Sequence, residues 1–128
     1  MSNAVLDASV ILAIINREPG AEKLTPRLLA EAICSTVNLA EVQSKLVSQG
    51  WSPDEAWEDA TAPIRGAISF TDEHAKIAGG LVALTRPLGL SLGDRACLAL
   101  GISHRATVYT AERSWSKLKL GVRIQVIR

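Results

Sequence analysis

Four carboxylates stand out for where they fall: Asp7, Glu41, Asp94 and Glu112. Asp7 ends the short apolar stretch "AVL". Glu41 lies one turn into the pattern that opens "VNLAEV", and Asp94 is in the first turn of "LSLGDRACLALG", an otherwise apolar helical run. Glu112 lies two residues beyond "VYT". A cluster of oxygen ligands of this kind suits Mg²⁺ or Mn²⁺. Carboxylates brought together repel, and their pKa values rise unless a cation compensates. A metal held there makes water a better nucleophile and offsets charge on a phosphorane-like transition state. Ser9 and Thr110 carry hydroxyls next to Asp7 and Glu112, where they can hydrogen-bond the acids or their waters; Asn38 is a weaker candidate of the same kind.

Each acid also has an ordinary role. Asp7 can cap a helix that begins at Ala8. Glu41 can pair with Lys45 across one helical turn. Asp94 can complete a capping box with Ser91, and Glu112 can favour a helix N-terminus after a Thr110 cap. These roles do not explain why all four acids can reach one end of one sheet.

The elements that must position them are legible as an alternation. The stretches "NAVLDAS", "AICST" (32–36), "AISF" (67–70), "ATVYT" and "VRIQVI" read as strands. Helices fall between them: a well-buried one over 8–17, an interrupted one over 21–32, one over 37–50 and one from Ser52. Two more cover 71–86, capped at Thr71 or Asp72, and about Leu92 to Ser103. Pro26 fits the first turn of a helix better than its middle. Ser52, Pro53 and Glu55 form a helix start with a capping box. Gly50 stops the helix before it, and Gly79-Gly80 weakens the one that holds them. Strands alternating with helices predict an α/β domain with a mainly parallel sheet. In such a sheet the functional crevice lies beyond the carboxyl ends of the strands. Asp94 reaches it only if its helix packs with its N-terminus at that end.

Length and composition set the frame. At 128 residues and 48% hydrophobic, the chain suits a single domain over 1–128 and argues against disorder. No run approaches the roughly 18 apolar residues that span a bilayer, and the first residues do not resemble a signal peptide. The expectation is a cytoplasmic protein. Cys34 and Cys97 sit among apolar residues outside any CxxC pattern, so buried, reduced thiols are expected rather than a zinc site. His74 and His104 have no GxSxG elbow or cysteine partner and read as structural or surface residues. Charge is uneven. Residues 104–128 hold six basic residues against one acid, a net of +5, while the remainder holds eight against twelve, a net of −4. A basic end attracts phosphates, and it is equally an ordinary solvated surface.

The stretches "VLDASVIL", "NLAEV", "SLGDRACLALG" and "VYTAERSW" resemble, in order and spacing, the PIN-domain ribonucleases, above all the VapC toxins of bacterial toxin–antitoxin pairs. The resemblance runs from Val5 to about Ile127, and "LSLGDRACLALG" is its most specific piece. It implies a three-layer PIN-like fold with a mainly parallel five-stranded sheet flanked by helices. It implies a Mg²⁺- or Mn²⁺-dependent endoribonuclease that hydrolyses phosphodiester bonds of single-stranded or loop RNA. Asp7 and Asp94 would be the principal metal ligands, Glu41 a ligand or the holder of a metal-bound water, and Glu112 the fourth acid. Arg95, Arg113, Lys117 and Lys119 are placed to meet RNA, although Arg95 also suits an ion pair with Asp94. Trp115 can stack a base or pack against the sheet edge.

The resemblance also implies a cognate antitoxin and a homodimer. Ile11, Ile15, Leu28 and Leu29 are available either to those interfaces or to the core. The chain departs from the family at the fourth acid, where the usual residue after "TA" is Asp and this chain has Glu112. The extra methylene bears on rate and metal stoichiometry, because Mg²⁺ geometry is demanding. It also supports the alternative, a PIN-like RNA- or partner-binding module with a weakly active metal site. A phosphatase or receiver domain fits less well: Ser9 stands where such a phosphatase needs a second Asp, and the acid pair and Lys of a receiver are missing.

Overall fold

The computed structural model describes residues 4–128; residues 1–3, including Asn3 at the head of "NAVLDAS", lie outside them. Five strands form one sheet: β1 (Ala4–Leu6), β2 (Ala32–Ser35), β3 (Gly66–Ile68), β4 (Thr107–Thr110) and β5 (Ile124–Val126). Every pairing is parallel, and the order is β3-β2-β1-β4-β5. The chain winds outward from β1 in one direction through β2 and β3, and in the other through β4 and β5. The switch between these halves lies between β1 and β4, where Leu6 is level with Tyr109.

Helices cover both faces. They are α1 (Ala8–Asn16), α2 (Pro26–Leu29), α3 (Thr36–Ser48), α4 (Pro53–Thr61), α5 (Asp72–Gly80), α6 (Val82–Thr85) and α7 (Leu92–His104). Alternation along the strands divides the core in two. Ala4, Leu6, Ala32 and Cys34 pack with α1, α3 and α4 through Val10, Ile11, Leu39, Val42, Leu46 and Ala56. Val5, Ile33 and Val108 pack on the other face with Cys97, Leu98 and Leu100 of α7 and with Trp115. Burial on both faces is why the central strands read as continuous apolar runs.

The helix starts follow local chemistry. Thr25 caps α2 with Pro26 at its first position, Ser35 caps α3 and Ser52 caps α4. The box expected at Ser52 closes differently. The Glu55 N–H donates to Ser52 Oγ, and that hydroxyl donates to Glu55 Oε1 at 2.9 Å rather than leaving the carboxylate for the Ser52 backbone. A reciprocal box forms at α5, where Thr71 pairs with His74. The helix expected over 71–86 breaks after Gly80 into α5, α6 and a short 3₁₀ turn at Arg86–Leu88. The α1 and α7 helices end on Arg17 and Arg105 in the left-handed region, positions without the usual glycine signal.

The placement of α7 matters most for the site. It runs antiparallel to β4, so its N-terminus lies at the carboxyl end of the sheet. Gly101 lets it approach closely, because a Cβ there would overlap Val108 and lie 3.3 Å from a Val122 methyl.

Candidate active site

Asp7 leaves β1 at the switch point and serves two purposes. As the N-cap of α1 it accepts the Val10 N–H on Oδ1 at 3.0 Å. The same oxygen accepts the Ser9 hydroxyl at 2.6 Å, and Oδ2 accepts the Thr110 hydroxyl at 2.6 Å. Those hydroxyls are anchored in turn, since Ser9 Oγ accepts the Ala111 N–H at 2.9 Å and Thr110 Oγ1 the Glu112 N–H at 3.0 Å. Asp7 is only 3% exposed. Burial pushes its pKa up to about 6; the three hydrogen bonds oppose that rise, and the charge of Asp94 adds to it. A cation placed beside such a carboxylate would favour its charged form.

Glu41 sits across the crevice on α3. Its side chain is exposed as a whole, while the carboxylate end packs against Gly93 of α7. Desolvation of that end raises its pKa, the Asp94 charge raises it further, and a hydrogen bond from Asn38 lowers it. Asn38 Nδ2 donates to Glu41 Oε1 at 2.8 Å and to the Gly93 carbonyl at 3.0 Å. The Glu41–Lys45 pair that the spacing allows does not form among the described residues, whereas an Arg128–Glu18 ion pair does.

Asp94 completes a capping box with Ser91: its Oδ2 accepts the Ser91 N–H at 2.9 Å and its own N–H donates to Ser91 Oγ at 3.1 Å. The box fixes the carboxylate without using all of its lone pairs.

The structure brings Asp94 within electrostatic reach of both Asp7 and Glu41. Glu112 stands apart. Its backbone is held by Thr110 and starts a 3₁₀ turn at Arg113–Lys117, but its side chain is exposed and caps nothing. Among the described residues no three His, Cys, Asp or Glu side chains form a ready-made metal cage. The donor set nevertheless suits a hard divalent cation. It consists of oxygens, it includes a buried carboxylate, and Asn38 Oδ1 is buried beside it with no partner among the described residues. Cys34 and Cys97 are free and buried, and burial and the nearby acids push both thiols up, which removes thiolate chemistry.

The basic candidates divide. Arg95 turns into the protein: NH1 donates to the Ala78 carbonyl of α5 at 2.9 Å, and Nε is buried without a partner. It ties α7 to α5 and makes neither an Asp94 ion pair nor an exposed phosphate contact. Arg113 is exposed, with Nε on the Arg128 carbonyl at 3.2 Å. Lys117 and Lys119 are exposed and line a surface cavity of about 400 Å³ with Leu84, Leu88 and Leu120. Trp115, 1% exposed, belongs to the core and is closed to a base. Ile11 is also core, while Ile15, Leu28 and Leu29 are half-buried against it. His74 is buried and caps α5. Gly93 was not singled out by sequence reasoning; its signal was a glycine beside Asp94 in a helix that would prefer alanine.

Known proteins were compared on this basis. The PIN-domain family model matches residues 4–120. No curated protein sequence matches the chain. The structure is similar to VapBC from Salmonella typhimurium, bound to DNA, at TM-score 0.76 and 17% identity over 100% of both chains. It is similar to a toxin–antitoxin complex from Klebsiella pneumoniae at TM-score 0.71 and 18% identity, covering 94% of this chain and 95% of that one. It is also similar to VapC20 of Mycobacterium tuberculosis, a toxin that cleaves the sarcin–ricin loop, at TM-score 0.68 and 18% identity, covering 94% and 99%. No described helix is long and apolar enough to cross a membrane. With a family model spanning nearly the whole chain and a parallel five-stranded sheet between helices, this chain belongs to the PIN-domain family.

Proposed function

We propose that this chain is a metal-dependent endoribonuclease and the toxin of a toxin–antitoxin pair. The observation that carries the reading is Asp94 within electrostatic reach of both Asp7, at the switch point, and Glu41, in a PIN fold. Asp7 and Asp94 would hold Mg²⁺ or Mn²⁺, with Glu41 as a further ligand or the holder of a coordinated water, and Glu112 acting from the rim. When bound, the metal supplies an activated water and offsets charge on the scissile phosphate and leaving oxygen. The chain's own part is orientation. Ser9 and Thr110 fix both oxygens of Asp7, and Ser91 fixes Asp94. Arg113, Lys117 and Lys119 would meet the backbone of a single-stranded or loop RNA. The structural neighbours include toxin–antitoxin complexes, which supports a protein antitoxin as partner. A homodimer is part of the same reading.

The position of Glu112 favours one second reading, a PIN-like module that binds RNA or a partner and cleaves weakly. Cleavage of a labelled single-stranded RNA pool separates the two, run with Mg²⁺, with Mn²⁺ and with EDTA. The nuclease reading expects metal-dependent cleavage that Asp94→Asn reduces at least about 100-fold. Equal cleavage by Asp94→Asn overturns the role of Asp94. Absence of cleavage by both proteins, with the fold intact, moves the conclusion to the binding module.

A further inference from the structure

The residue that joins the two acid-bearing helices is not an acid. Asn38 is 1% exposed, sits in the first turn of α3 three residues before Glu41, and faces the first turn of α7, which carries Asp94. Its amide nitrogen donates to Glu41 Oε1 at 2.8 Å and to the Gly93 carbonyl at 3.0 Å. Both amide protons are thereby committed, one to each helix, across 55 residues of sequence.

Gly93 completes the arrangement. A Cβ built there would lie 2.6 Å from Glu41 Cδ, so the carboxylate occupies the space a side chain would fill. Alanine would favour the helix at this position, so local preference does not account for the glycine. Close approach of Glu41 does. The remaining polar atom, Asn38 Oδ1, is buried with no partner among the described residues. An apolar residue would fill the same interior without leaving a buried acceptor unmatched.

We propose that Asn38 is a positioning residue for the metal site. One amide group seats Glu41 on Gly93 and holds the first turn of α7 beside α3, so that Glu41 and Asp94 face the same cation. Its Oδ1 is left as an acceptor for a water or hydroxyl group at the site. The inference rests on the metal-nuclease reading and deepens it.

Calorimetric titration with Mn²⁺ tests it, together with thermal unfolding of the same proteins. The set is the parent, Asn38→Ala, Glu41→Gln, the double variant, Gly93→Ala and Asp7→Asn. Asn38→Ala weakens Mn²⁺ about ten-fold, the effect of an outer-shell partner. If Asn38 acts through Glu41, that loss falls below about two-fold in the Glu41→Gln background, which a merely structural residue would not show. Gly93→Ala displaces only the far end of a flexible side chain. It is expected to weaken Mn²⁺ about ten-fold with an unchanged or higher Tm, and it carries the test if Asn38→Ala unfolds. Parent-like affinity in both Asn38→Ala and Gly93→Ala overturns the inference, as does an undiminished Asn38→Ala loss in the Glu41→Gln background. A parent that binds no Mn²⁺, or binds it equally after Asp7→Asn, overturns the metal-nuclease reading and this inference with it.

Discussion

Asp7 and Glu112 flank the same switch point, yet the fold treats them in opposite ways. Asp7 follows β1, is buried, and has both carboxylate oxygens fixed by hydrogen bonds from Ser9, Val10 and Thr110. Glu112 follows β4 and is held by its backbone alone, with its side chain exposed. The difference lies in supporting contacts rather than in position along the strands. A carboxylate held at both oxygens is preorganised for a ligand, whereas an exposed one must pay rotamer entropy to reach it. Glu112 is also one methylene longer than the family's usual Asp. The two acids should therefore contribute unequally.

Asp7→Asn breaks the comparison at its stronger side. RNA cleavage should fall at least about 100-fold, as for loss of a transition-state contact. The same substitution has a pH-dependent effect on the metal-free fold. The Asp7 pKa is raised to about 6 by burial, so the protonated form is the one the fold favours. The parent is expected to lose stability as pH climbs from the ordinary Asp range through about 6, with the penalty complete above it. Asp7→Asn removes that penalty. It should be more stable than the parent at pH 8 by up to about 3 kcal/mol, with the advantage gone near pH 4. Denaturant unfolding in EDTA at the two pH values measures this, and a parent that gains stability from pH 4 to pH 8 relative to Asp7→Asn contradicts it.

Thr110→Val sharpens the comparison by loosening Asp7 without removing it. One Asp7 oxygen loses its donor, and the Glu112 N–H loses its acceptor. Cleavage should drop about ten-fold, and its pH profile should move to higher pH as the Asp7 pKa rises further. An unmoved profile would separate Thr110 from Asp7. Glu112→Gln probes the weaker side. Its effect on cleavage should stay under about ten-fold, below that of Asp7→Asn by an order of magnitude or more. Parallel kinetics on one RNA decide it, and equal losses would make Glu112 a full partner in the site.

Much of the fold was legible because its signals are local. Pro26, Ser52 with Pro53, and the Ser91–Asp94 box each act within three residues, and all mark real helix starts. The alternation of apolar stretches and caps was enough to give a parallel sheet with the acids near its carboxyl edge. What was left open or misread has the opposite property. Trp115 was open between base stacking and packing, and it is core, because the turn after β4 folds back over the face that α7 covers. Arg95 read as an RNA contact but reaches Ala78, 17 residues away. The helix over 71–86 read as continuous, and it breaks after its glycine pair. Arg17 and Arg105 end helices in a conformation that sequence assigns to glycine.

The sequence by itself determined which acids are present, the strand or helix end each follows, and the Ser9 hydroxyl that stands beside Asp7. Chain neighbours encode these features through turn geometry and capping. Only the tertiary structure decided that Asp7 is buried while Glu112 is exposed, that Arg95 faces inward, and that Glu41 rests on Gly93 under the hold of Asn38. Those outcomes depend on how the helices pack on the sheet and on one another, where contacts join residues 17 to 103 positions apart and no local pattern records them.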